Sequence, residues 1–138
     1  MSKTFTAPFA QTPRTATAVV TAGVTNLTTD SPTGTVLLMT AGADGSILTR
    51  LTVMPRATAS ASSLLLFISN DNGVTQRLID SESMPLQNFA VGTGIAETTF
   101  SNYSETRPMR LAAGDKLYAG SQVAAATGLV FKAEYTDF

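Results

Sequence analysis

Cysteine and histidine are both absent from this 138-residue chain. Without thiols no disulfide framework can support the fold, and no thiolate can act as a nucleophile. Without imidazole the usual general base near neutral pH and the commonest metal ligand are missing. Serine-triad, cysteine-protease and histidine-metal mechanisms are therefore excluded. Tryptophan is absent and tyrosine is limited to three residues, a poor supply of the aromatic platforms that carbohydrate sites present. Charge is scarce as well, at 14% of residues, against roughly 25% in an ordinary soluble domain. Nine Lys and Arg against ten Asp and Glu leave a formal net charge of -1, and neither sign forms a block. Phosphate recognition needs a clustered basic surface, so nucleic acid is not expected as a partner. No window approaches the ~18 uninterrupted apolar residues of a membrane span, and residues 1–10 (MSKTFTAPFA) lack the apolar stretch of a secretory signal. The expectation is a protein made and used without Sec-type export and without a membrane partner.

What is present points to strands. The length suits one domain with one core, and 22 residues are Thr, which favours pleated, half-buried surfaces. A low-charge, hydroxyl-rich surface screens weakly against association, which suits a protein that works assembled. Residues 1–14 (MSKTFTAPFAQTPR) carry Pro8, Pro13 and the isolated aromatics Phe5 and Phe9 without period-2 or helical rhythm, and read as an extended N-terminal arm. From Thr15 onward, β-prone runs are broken by turn residues every eight to twelve positions, the pattern of a sandwich or barrel filling residues 15–138. The expected strands are 15–22, 35–41, 47–54, 63–69, 74–81, 98–103, 109–111, 116–123 and 129–135. In 47–54 the odd face, Ile47, Thr49, Leu51 and Val53, is the expected core face. The run SLLLFIS (63–69) is apolar on both faces, so it should be covered on both sides, by the opposite sheet and by something outside it, another subunit being one candidate. Asn72-Gly73 supplies the positive φ of a hairpin turn into 74–81. Residues 83–90 are the one stretch where a short helix fits.

Chemistry has few candidates. Asp80 and Glu82 share one strand face at spacing two, and Asp115 sits in a turn beside Lys116; solvated charges at strand ends and turns account for them. The segment Asn70-Asp71-Asn72-Gly73 begins like a calcium loop but has Ile79 where the closing acid belongs, so it is a hairpin turn. Gly92-Thr93-Gly94 lacks a strand–helix context and is a loop. No catalytic residue, cofactor or metal is expected. At the C-terminus Phe131, Ala133 and Tyr135 share one strand face, and Phe138 either caps the core or reaches a partner.

Three segments together carry a family likeness: TPRTATAVVTA, the central run TVLLMTAGADGSILTRLTVMPRATASASSLLLFISNDNGVTQRLIDS, and the closing RLAAGDKLYAGSQVAAATGLVFKAEYTDF. Over nearly the whole chain they resemble the jelly-roll cement, or decoration, proteins of tailed-bacteriophage capsids. The resemblance implies an all-β, jelly-roll antiparallel β-sandwich of about eight strands. It also implies a homo-oligomer, a dimer, on the outer surface of an icosahedral head, assembled in the host cytoplasm, with the major capsid protein as partner. The expected contact anchors are Phe5 and Phe9 of the arm, Leu64, Leu66 and Phe67 of the doubly apolar strand, and Tyr135 and Phe138 of the tail. The competing reading is a carbohydrate- or receptor-binding sandwich on the virion surface. A carboxylate-based enzyme is the third, with no acid pair whose spacing argues for it.

Overall fold

The computed structural model describes residues 12–138, so Phe5 and Phe9 lie outside the described residues. Nine strands follow in chain order: β1 (Thr12–Val20), β2 (Val36–Thr40), β3 (Ser46–Pro55), β4 (Ser62–Ser69), β5 (Arg77–Met84), β6 (Thr98–Thr99), β7 (Met109–Leu111), β8 (Lys116–Ser121) and β9 (Leu129–Asp137). Among the described residues there is no helix. One sheet has the order β1-β9-β3-β6, with β7 also on β3; the other runs β2-β8-β4-β5. The ladders between strands are antiparallel, and β6 and β7 share one place in the sheet, pairing with the far and near ends of β3. All connections except β4–β5 and β6–β7 cross from sheet to sheet, and this order makes an all-β sandwich with the strand order of a jelly roll. The first strand begins at Thr12 rather than Thr15: Thr12, Pro13 and Arg14 pair with Asp137, Thr136 and Tyr135.

The inner faces of the two sheets enclose the core. Leu48, Leu51, Val53, Leu64, Leu66, Phe100, Leu117, Leu129 and Phe131 are fully or almost fully buried in it. Phe100 and Phe131 meet with ring centroids 6.4 Å apart at 48°, a tilted pair of the favoured kind. The core face of β3 is not its odd face throughout. Its register with β9 shifts between Leu48 and Arg50, and the Thr49 hydroxyl donates to the Glu134 carbonyl at 3.1 Å. One extra residue in a ladder reverses the alternation, so Ser46 and Leu48 face inward before the bulge and Leu51 and Val53 after it.

The doubly apolar β4 is covered on both sides, but by its own chain. Leu64 and Leu66 point into the main core, whereas Leu65 and Phe67 form a second cluster with Val24, supported by Leu27 and Tyr118. The connection 21–35 crosses the outer face of this sheet, held by Val24 N–H to the Ser121 carbonyl at 2.7 Å and Gln76 N–H to the Asp30 carbonyl at 2.8 Å. Leu64, Leu66 and Phe67 are each at most 1% exposed and present no surface to a second chain; that expectation is corrected. The expected short helix at 83–90 is also absent. Residues through Met84 continue β5, Pro85 supplies no N–H, and Gln87 exchanges reciprocal 2.9 Å backbone bonds with Ala59.

Candidate functional site

The acidic residues singled out in the sequence are scattered and committed to local structure. Asp115 is buried, not solvated: one oxygen accepts from Asn70 Nδ2 at 2.9 Å and the other from the Ala112 N–H at 2.9 Å, closing the β7–β8 turn onto the β4–β5 turn. Asp71 accepts from the Thr75 N–H and the Ser69 hydroxyl, both at 2.8 Å. The Thr75 amide and hydroxyl, then the Ser69 hydroxyl, hold its carboxyl below the ordinary 3.8. Asn72 at φ 62° and Gly73 at φ 89° turn the chain there, which confines the Asn-Gly signal to a hairpin. Asp80 accepts at Oδ1 from the Ser81 N–H at 2.8 Å and Asn102 Nδ2 at 3.1 Å, while its Oδ2 is buried without a hydrogen-bond partner. The Tyr103 phenol faces this carboxylate. Burial first, then the nearby Asp80 carboxylate and its negative charge, push the phenol well above its ordinary 10.0. Among the described residues no three acidic side chains converge as metal ligands would.

Exposed apolar side chains occur around β5, at Val74, Leu78 and Ile79, and on the connections at one end of the sandwich. The connections 21–35, 56–61, 85–97 and 122–128 all emerge at one end of the sandwich, as the antiparallel order requires. Leu86, Phe89, Val91 and Val123 lie exposed on two of them, 85–97 and 122–128, with Val91 at 96%. Their charged members are few. Asp30 pairs with Arg77 at 3.3 Å and Glu97 with Arg50 at 2.8 Å, so Arg56 is the one remaining charge in these four connections. The loop tips are tied together by Phe89 N–H to the Thr58 hydroxyl at 3.0 Å and by the Ala59–Gln87 bridge. The sequence holds a signal that neither the short helix expected at 83–90 nor the loop expected at 92–94 captures: residues 85–96, PLQNFAVGTGIA, are twelve uncharged positions without strand rhythm. Apolar side chains with no period to bury them belong on a surface.

Beside this end, the outer face of the β1-β9-β3 sheet holds an open groove of about 400 Å³ between Thr17, Met54, Arg56, Ile95 and Val130. At the opposite end lie the tail anchors. Tyr135 is half-buried against the core. Phe138 is 38% exposed, its N–H bonded to the Gly45 carbonyl at 3.2 Å. Asp137 between them takes up Arg14 of β1 and the Ser46 hydroxyl of β3, which fastens the last strand to both of its neighbours. Tyr135 and Phe138 thus sit at the other end of the molecule from Phe89 and Val91, and the described anchors do not form one patch. No family model matches the chain, and neither a curated protein nor a solved structure matches it.

Proposed function

We propose that the chain is a structural cement protein, binding the outer surface of an icosahedral phage head and reinforcing contacts between major capsid protein subunits as a homo-oligomer. The observation that carries this reading is the nearly uncharged loop end with exposed Leu86, Phe89, Val91 and Val123. Exposed apolar side chains grouped at one end of a rigid sandwich mark an interaction surface, and rigid β-strands behind the loops lower the ordering cost of docking. A clamp repeated over a particle needs only modest area per copy, because linked copies act multivalently. The family likeness supplies the identity of the partner, and the absence of Cys and His from the sequence leaves little chemistry to compete with a binding role.

Purified virions should contain the chain in near-stoichiometric ratio to the major capsid protein; absence from the particle would sink the reading. On a particle that binds it, Phe89→Ser with Val91→Ser should weaken attachment at least ~tenfold while the melting temperature changes little, since both side chains are surface-placed. Leu66→Ala, in the core, should instead lower stability by about 2–5 kcal/mol.

A further inference from the structure

The sheet edges differ in how they are closed to outside pairing. Native edges are blunted by short length, charge, proline or a bulge. β5 carries Arg77, Asp80 and Glu82, and its register with β4 shifts so that Ile79 is unpaired. β2 has five residues and a shift between Leu37 and Met39. β6 and β7 have two and three residues. β1 differs from all of them. It has nine residues in unbroken register with β9, from Thr12↔Asp137 to Val20↔Leu129, and among the described residues β9 is its one neighbour in the sheet. Its Pro13 and Arg14 lie at the start, Arg14 is held by Asp137, and residues 15–20, TATAVV, contain no charge, proline or glycine.

We propose that β1 pairs antiparallel with β1 of a second copy about a two-fold axis, joining two β1-β9-β3 sheets into one. A two-fold contact sets a patch against itself, so it must be self-complementary. Centred on Thr17, the pairing puts Thr15 opposite Val19, Ala16 opposite Ala18 and Thr17 opposite itself, with opposed residues on one face as an antiparallel ladder requires. Arg14 falls opposite Val20, so no like charges meet. A net charge of -1 adds little repulsion between copies. A second copy is therefore favoured over a foreign strand. The inference deepens the homo-oligomer of the proposed reading and rests on it only there. Its test uses the purified full chain, whereas capsid binding is judged from virions, so the two can fail separately.

Light scattering during size-exclusion chromatography should give twice the chain's mass. Thr17→Lys, which places like charges across the axis and adds a native edge device, should raise the dissociation constant at least ~tenfold and leave the circular dichroism of the fold unchanged. In this cysteine-free chain Thr17→Cys should form an intermolecular disulfide, because directly opposed strand residues bring Cα atoms to about 4.5–5.5 Å. Glu82→Cys on the β5 edge should not. A monomeric chain, a dimer indifferent to Thr17→Lys, cross-linking through β5 in place of β1, or an extended segment of another protein laid along β1 of a monomer would each overturn the proposal.

Discussion

Tyr103 and Asp80 illustrate how far a single residue's setting can depart from its sequence context. Nothing in SNYSETRP marks Tyr103 as special, yet the tertiary fold half-buries it and places its phenol near the Asp80 carboxylate, whose Oδ2 is buried without a hydrogen-bond partner. Its pKa is raised above the ordinary 10.0, so between that value and the folded one the native state holds a proton that the unfolded chain has lost. The contribution to stability is therefore complete below pH 10.0 and is lost as pH rises beyond it. Tyr103 should ionise only above the ordinary 10.0 when tyrosinate absorbance is followed. Tyr103→Phe should remove part of the fall in melting temperature above pH 10.0; an identical alkaline limb in the variant would refute the linkage. Asp115 makes the same point about legibility. Its place in a Gly-Asp turn was visible in the sequence, but its burial depends on Asn70, 45 residues away, which no local pattern encodes.

At the scale of elements, most strands were legible because period-2 alternation and Gly or Asn turns are local signals. The face assignments were less so. The β3 alternation is interrupted at Thr49, and a bulge is set by the pairing with β9 rather than by β3 alone. In β4 the apolar run correctly announced burial on both faces, but it could not say whose residues do the covering. The cover is the connection 21–35, whose apolar members Val24 and Leu27 are isolated among Thr, Asn and Gly. Its dependence on so few side chains makes it testable. Val24 is 1% exposed against Leu65 and Phe67, so Val24→Asp buries a charge without a partner and opens the outer cluster. The expected loss is about 2–4 kcal/mol in urea denaturation, with new binding of an apolar fluorescent dye to the uncovered sheet. Val24→Ile should leave the dye silent and the stability within about 1.5 kcal/mol. If Val24→Asp retained full stability, the covering role of this connection would be refuted.

At the scale of the whole molecule, the order β1-β9-β3 means that the last strand of the chain is inserted between two of the earliest. Neither β1 nor β3 touches the other across the sheet, and β1 has no in-sheet partner among the described residues until β9 arrives. β9 also brings Leu129, Phe131 and Ala133, each 0% exposed, and the Asp137 side chain that ties β1 to β3 through Arg14 and Ser46. Loss of one large core side chain typically costs ~2–5 kcal/mol, and a domain's whole stability is roughly 5–15 kcal/mol. Ending the chain at Gly128 removes two such side chains together with both central ladders of the first sheet, so the remainder should show no cooperative thermal transition and no protected β3 amides in hydrogen exchange. Ending it at Asp137 removes only the half-exposed Phe138 and its bond to Gly45, and the transition should stay cooperative. A cooperative transition in the chain ending at Gly128 would mean that the second sheet, β2-β8-β4-β5, folds by itself, and the sandwich would then be two separable layers in place of one unit closed by its final strand.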